Sequence, residues 1–327
     1  MLTHQQINQW CNKGYVVSNN ILKTDLIYSV KNYLDKTYNN ADNSSKDFGS
    51  EGKLEFPCGQ IIDDVTINLN LIRCVKQLLK TDDILLCQSD AWGKCGNLDY
   101  SVKSNNNQRM HMDYGNNTFL HPAPWNLPET VAVIIYFSDT NITGGGTAIV
   151  PRKTIWKNGQ EQYDKYDELY QFPYVNMPGQ KDYIFFNNKS HSEDYFRRNH
   201  PLIHTFRNKL YDKEIQINAN IGDVLFYRLD AWHRGTPVNI GQVRNVMNLL
   251  WKKKECYWIN VWNPGWTKNM YNQWLEKLFI KMTPEQRSTL GIPPIGDKYW
   301  TLENIKLFKK RYPKIDTRPY YSKISRI

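Results

Sequence analysis

The chain has 327 residues, 40% of them apolar and 13% aromatic, and carries a formal net charge of +10. Its 11 Trp and 21 Tyr residues supply a large core, and no run of 18 apolar residues is present, which excludes a conventional membrane-spanning helix. The six cysteines, at 11, 58, 74, 87, 95 and 256, contain no CxxC pair. They predict reduced thiols rather than a disulfide frame or a zinc site, and with the absence of a signal-like N-terminus they predict a cytoplasmic protein. The lysines are dispersed, as an A/T-rich coding sequence would leave them. A nucleic-acid partner is therefore not expected, and the basic balance gives at most a mild preference for an anionic small-molecule substrate. Nothing in the sequence addresses oligomeric state.

In chain order, Thr3 and Gln6 have the spacing of a capping box and predict a helix over 3–11. A short strand follows at Gly14–Val17. Thr24 starts a second helix, with Leu26, Ile27, Val30 and Leu34 at helical spacing. Residues 39–52 are polar and read as a mobile loop. A third helix spans 69–79, and Ile84–Ser89 reads as a strand. A polar loop, 97–108, leads to an extended stretch around His111. Residues 131–138 form the most apolar strand. The three glycines 144–146 precede another strand. A phosphate-loop reading fails because no Gly-Lys-Ser/Thr ending follows, so a tight hairpin turn is expected. Residues 152–212 form a long, Tyr-rich insertion with little periodicity, a possible lid. Strands follow at 221–227 and 242–251. In the latter, Arg244, Val246, Asn248 and Leu250 share one face, and Val243, Asn245, Met247 and Leu249 the other. Residues 267–281 look helical, and an irregular tail follows Gly291. Helices at both ends of a strand-rich centre imply one domain, 1–327. It divides into an N-terminal region (1–82), a β-core carrying the insertion (83–262) and a C-terminal extension (263–327).

The chemistry gathers at Arg109–Tyr114, at Ala231–Gly235 and at Arg244. On an extended chain, residues i and i+2 share a face, so His111 and Asp113 enter one cavity while Met112 turns away. With His233 beside them they make a two-His-one-carboxylate set that leaves metal positions open, as in non-haem Fe(II) oxygenases. Taken singly, each residue also has a structural reading: a hydrogen-bonded surface pair, a packed core histidine, a buried salt bridge. His200 and His204 stand four apart, but Pro201 argues against a helix that would pair them. Arg234 is a candidate contact for an anionic substrate, or a surface arginine.

These stretches resemble the phytanoyl-CoA dioxygenase-like family of Fe(II)/2-oxoglutarate oxygenases. The resemblance is carried by the Gln5–Ile7 and Gly14–Val17 opening, His111-Met112-Asp113, the Gly145–Pro151 turn and strand, Gly222–Phe226, Trp232–Gly235 and Arg244. It extends to the tail, through Thr283–Arg287, Leu290–Pro294, Tyr299–Thr301 and Arg311–Pro313. It implies a mainly β protein with flanking helices, built on a double-stranded β-helix, the cupin-like jelly-roll barrel. It further implies Fe(II) held by His111, Asp113 and His233, with 2-oxoglutarate and O2 as co-substrates. Arg244 would bind the distal carboxylate of 2-oxoglutarate, since a guanidinium pairs a carboxylate bidentately. Gln88 and Tyr136 lie on strands that could line the cavity and are further candidates for that co-substrate, though packing explains them equally. The implied reaction hydroxylates a substrate C–H bond and releases succinate and CO2. Asp113 argues against halogenation, because halogenating relatives carry a small residue there. Two alternatives stand beside this reading: a non-catalytic jelly-roll binding protein, and a cupin-like metalloenzyme that does not use 2-oxoglutarate.

Overall fold

The computed structural model describes residues 1–38, 53–56, 58, 60–101, 104–113, 129–152, 154–157, 160–163, 187–256, 280, 282–284, 287, 292–322 and 324. The expected loop at 39–52 and the expected helix at 267–281 lie outside them, apart from residue 280. Helices α1 (His4–Lys13), α2 (Thr24–Tyr38), α3 (Ile62–Thr66) and α4 (Leu69–Leu79) precede most of the strands. The strands are β1 (Tyr15–Ser18), β2 (Leu54–Glu55), β3 (Ile84–Cys95), β4 (Thr130–Tyr136), β5 (Thr147–Ile149), β6 (Thr154–Lys157), β7 (Gln160–Tyr163), β8 (Ile215–Ile217), β9 (Val224–Tyr227), β10 (His233–Gly235) and β11 (Val243–Lys253). A helical turn, α5 (Thr140–Thr143), follows β4. Helices α6 (Lys189–Asn199) and α7 (Pro201–Lys213) precede β8, and α8 (Leu302–Arg311) and α9 (Arg318–Tyr321) close the chain.

The capping box forms as its spacing predicts. Thr3 accepts from the Gln6 amide while the Gln6 side chain accepts from the Thr3 N–H. Gly14 ends α1 with φ of 79°, a left-handed conformation in which a side chain would be strained.

A six-stranded antiparallel sheet, ordered β1-β9-β4-β11-β3-β2, faces a small sheet ordered β10-β5-β8. The alternation along β4, β9 and β11 sorts their side chains between two apolar clusters. Val131, Val133, Ile135, Val224, Phe226, Met247 and Leu249 pack outward against α1, α2 and α4 through Trp10, Val30, Leu34, Leu71 and Val75. Ala132, Ile134, Tyr136, Leu225, Tyr227, Val246 and Leu250 point inward, toward Ile149 and Ile217 of the small sheet and Met110 and Met112 of the segment beside it. With both faces covered, β4 is apolar at almost every position rather than alternating. The C-terminal segment joins the inner cluster through Trp300, Phe308 and Tyr320.

Several expectations need correction. The Gly144–Gly146 turn is not a tight hairpin. It follows α5 and carries the chain from β4 in the large sheet to β5 in the small one, with Gly144 and Gly145 at φ of 67° and 70°. The described part of the 152–212 insertion contains the β6–β7 pair and two helices, while residues 164–186, within the suggested lid, lie outside the described residues. Pro201 does not prevent a helix: it starts α7, where its missing N–H costs nothing. His200 is that helix's N-cap rather than a residue of its face. The tail is not irregular, because Thr301 caps α8 through the Asn304 amide. Strand β3 runs to Cys95, well beyond Ser89.

Candidate metal centre

The metal-ligand segment is not a regular strand. His111 forms an isolated bridge with His233 at the outer edge of the small sheet, each N–H donating to the other's carbonyl at 2.9 Å. Gln108 braces the same edge: its side-chain oxygen accepts the Gly235 N–H at 2.8 Å. A Cβ at Gly235 would stand 2.8 Å from that Gln108 oxygen, so a larger residue there would have to displace the Gln108 side chain.

Both imidazoles are oriented from behind. His111 Nδ1 lies 3.1 Å from the Arg109 carbonyl, and His233 Nδ1 lies 3.0 Å from the Ala231 carbonyl. A carbonyl only accepts, so Nδ1 carries the proton in each ring and Nε2 presents its lone pair. The two Nε2 atoms converge on Asp113, His111 at 3.7 Å from Oδ1 and His233 at 3.6 Å from Oδ2. One ligand atom from each of the three residues lies within 4.8 Å of the others. Neighbouring ligands of an octahedral ion with bonds of about 2.1 Å stand about 3 Å apart, so an ion would draw these contacts in by roughly 0.6 Å. The site fits a divalent metal. Burial, then the neighbouring His233 and Arg109, pull the His111 pKa well below its ordinary value, which keeps the ring neutral as a ligand must be. The Tyr227 hydroxyl donates to Asp113 Oδ2 at 3.1 Å. Burial and the Asp113 charge push that phenol well above its usual pKa, so it stays a donor and fixes the carboxylate.

The segment is also held from α6 and α7. Arg207, fully buried, donates to the Met110 carbonyl at 2.9 Å and clasps Glu193 through Nε and Nη2. The Tyr211 hydroxyl accepts from the Met110 N–H at 2.9 Å and donates to Glu193 at 2.6 Å. Both main-chain groups of the residue preceding His111 are therefore fixed by the insertion. On the other side, Asp230 bonds Arg228 at 2.9 and 2.7 Å and pairs with Arg152, anchoring the turn that leads to His233.

Arg244 projects inward from β11. Its Nη1 donates to the Gly145 carbonyl at 2.6 Å and its guanidinium lies 4.8 Å from the centre of the Trp92 ring. Gly145 has φ of 70°, and a Cβ there would stand 2.5 Å from Val238 Cγ2 and 3.0 Å from Arg244 Cδ, so the glycine leaves room for both side chains. Gly145 stands four positions before Ile149, the register partner of His233. By strand rise this is on the order of 13 Å of backbone. Tyr136, fully buried, bonds Thr147 of β5 at 2.7 Å between the two. Gln88 also faces inward, and its Nε2 donates to Asp90 Oδ2 at 2.7 Å. Arg234 does not face the site or the surface: Glu214 at 2.6 and 2.7 Å and Asn107 at 2.7 Å hold its guanidinium. The sequence reading missed Tyr227, Arg207, Glu193, Tyr211 and Asp90. Tyr227 had a signal, since alternation along its strand puts it on the same face as Leu225, which the fold turns inward.

No known family profile matches the chain, and no curated protein is similar to it in sequence. Its fold is similar to that of the non-haem α-ketoglutarate-dependent carbocyclase SnoK from nogalamycin biosynthesis, at 10% identity over 82% of this chain and 91% of SnoK, with a TM-score of 0.52. The chain is a double-stranded β-helix. Weaker likenesses are HygX from Streptomyces hygroscopicus with nickel and 2-oxoglutarate bound (13% identity, 80% and 90% covered, TM-score 0.46) and EvdO2 from Micromonospora carbonacea var. aurantiaca complexed with 2-oxoglutarate (9%, 77% and 91%, 0.48). At these identities the likeness concerns architecture. The six cysteines are free, and among the described residues no helix is long and apolar enough to cross a membrane.

Proposed function

We propose that the chain is an Fe(II)/2-oxoglutarate-dependent oxygenase acting on a small molecule, of the phytanoyl-CoA dioxygenase-like kind that its motifs resemble. The observation that carries this reading is the convergence of two Nε2 lone pairs and one carboxylate, with both imidazole Nδ1–H groups tied to main-chain carbonyls. That arrangement makes three ligands on one side and suits a metal that must keep positions open. His111, Asp113 and His233 would hold Fe(II). The chemistry supplied by the bound iron with 2-oxoglutarate and O2 is oxidative decarboxylation to succinate and CO2, coupled to hydroxylation of a substrate C–H bond.

The protein's own groups have definable tasks in this scheme. Arg244, backed by the Trp92 face and tied by one nitrogen to Gly145, offers its guanidinium to the distal carboxylate of 2-oxoglutarate. Tyr136 lies near enough for the Arg244 charge to act on its phenol, and we assign it the same end of the co-substrate. Gln88, whose amide nitrogen is bonded to Asp90, we assign to the substrate side instead. Tyr227 keeps Asp113 in its ligating orientation. A reducing cytoplasmic location would suit both Fe(II) and six free thiols. SnoK is a carbocyclase by its own name, and one fold can host several outcomes, so hydroxylation is the specific claim to test. Anaerobic Fe(II) and 2-oxoglutarate should bind together, and addition of O2 should release succinate. The hydroxylated product, recovered with label from 18O2, distinguishes oxygen insertion from ring closure or epimerisation.

A further inference from the structure

The inner face of the large sheet carries one polar row that the proposed iron and 2-oxoglutarate chemistry leaves unused. Register places Asp90, Asn248, Ile134, Leu225 and Val17 side by side across five strands. The row on one side contains Trp92, Val246 and Tyr136, at the Arg244 end. The row on the other contains Gln88, Leu250, Ala132 and Tyr227, and Tyr227 is bonded to the ligand Asp113. Asp90 and Asn248 therefore lie between the arginine and the metal centre, on the face that both share. The Tyr227 phenol feels the charge of Asp113 strongly and that of Asp90 more weakly.

Burying a carboxylate is costly unless its oxygens are satisfied. Asp90 is 1% exposed. Gln88 serves its Oδ2, but Oδ1 is sealed from water with no hydrogen-bond partner, and so is Asn248 Oδ1 on the adjacent strand. Directly opposed side chains on an antiparallel pair stand about 5 Å apart, close enough for one ligand group to reach both. At the sheet edge, β2 sets Glu55 opposite Asp90, and Lys53, paired with Glu55 at 2.7 Å, offsets part of the Asp90 charge. Among the described residues no donor reaches the two inward oxygens. Two buried acceptors, one of them anionic, need a group that brings N–H donors and positive charge.

We infer that Asp90 and Asn248 form a binding subsite for an ammonium or guanidinium group of the substrate. The subsite rests on the proposed oxygenase reading only in that its occupant is a substrate; the cation preference stands on the inner-face geometry. It runs opposite to the anionic preference that net charge alone suggests. Asp90 accepts the ion pair through Oδ1, Asn248 accepts a second N–H, and Gln88 holds Asp90 in place through Oδ2. Ile134, Leu225 and Val17 continue the row as an apolar wall.

The test uses the full chain loaded with Zn(II), which is diamagnetic, and with 2-oxoglutarate. Butylammonium, agmatine, butan-1-ol and butyrate are titrated by saturation-transfer NMR. The two cations should bind about tenfold more tightly than the alcohol or the carboxylate, a difference of about 1.4 kcal/mol. Asp90→Asn should remove that preference and leave butan-1-ol binding unchanged, and Asn248→Leu should weaken both cations about threefold. Thermal melting of each variant verifies that it folds, and the Asn248→Leu arm decides if Asp90→Asn does not. Equal binding of butyrate and butylammonium, cation binding indifferent to both substitutions, or no cation binding at all would overturn the subsite. Affinity for 2-oxoglutarate is measured without probes. If it is absent while the Asp90-dependent preference persists, the oxygenase reading fails and the subsite stands; if it is present without the preference, only the subsite fails.

Discussion

His111 and His233 exchange both main-chain hydrogen bonds at 2.9 Å although 122 positions separate them, and their rings lie 4.4 Å apart. The bridge locks the register of the two ligand segments and brings the imidazoles together. The centre is preorganised by backbone pairing, by two carbonyls behind the rings and by Tyr227 on the carboxylate. Substituting His111 or Asp113 by Ala should therefore abolish stoichiometric Fe(II) binding while leaving the fold intact. Equilibrium dialysis with metal analysis, alongside circular dichroism, checks this.

Arg244 should matter for the co-substrate and little for the metal. Arg244→Ala is expected to weaken 2-oxoglutarate by at least about tenfold, the scale of a lost charge-assisted bidentate pair. Fe(II) affinity should change by less than about threefold. Gly145→Ala should produce a milder version of the same loss, because its Cβ, at a left-handed φ, would crowd Val238 and the Arg244 side chain. Calorimetric titration of 2-oxoglutarate into the metal-loaded variants measures both.

The insertion helices reach the metal through Met110. Glu193→Gln weakens the clasp on Arg207 and the acceptor of Tyr211, so the main chain before His111 loses its brace. Outer partners of this kind commonly contribute 10- to 100-fold in metal affinity, and a fall of that size is expected. Competition with a chromophoric chelator reads it. Removing a partner from a buried ion pair also destabilises, and the thermal midpoint should fall in parallel.

Two groups give the metal-free protein opposite pH responses. His111 is held neutral by burial, below its unfolded pKa of about 6.5. Its contribution is complete above that value and is lost as pH falls through the window beneath it, so the melting temperature should drop on acidification from about pH 7. His111→Gln should flatten that slope. Asp90 is shifted the other way, its pKa raised from 3.8 to about 6, chiefly by burial. The native state then binds the extra proton between those values, so this residue costs stability as pH rises from about 4, reaching on the order of 3 kcal/mol at neutrality. Asp90→Asn should stabilise the protein at pH 7.5 by about 1–3 kcal/mol, with the gain shrinking toward pH 4. Denaturant melts across pH test both signs.

The sequence carried the ligands because they sit in short motifs, and it carried α1, α2 and α4 because Thr3, Thr24 and the Ile72–Leu79 spacing are local signals. It carried the inward face of β11 because alternation with Arg244 fixes it. Other features depend on contacts distant in the chain. Asp90 was left outside its strand because aspartate disfavours strands, whereas pairing with β11 along its length and with β2 at Asp90 and Ala91 keeps β3 extended to Cys95. Met110 is braced by Arg207 across 97 positions, which no window of sequence can register. The glycines 144–146 look like a hairpin locally, but the neighbours of β4 and β5 are set by β9, β11 and β10, so the turn crosses between sheets instead.

The most direct measurement of the central claim is an anaerobic titration of 2-oxoglutarate into the Fe(II)-loaded protein, followed by visible absorption. A metal-to-ligand charge-transfer band should grow to saturation at one equivalent, vanish in the His233→Ala variant and require far more 2-oxoglutarate in Arg244→Ala. Iron bound tightly by the native chain with no such band at any 2-oxoglutarate concentration would contradict the account.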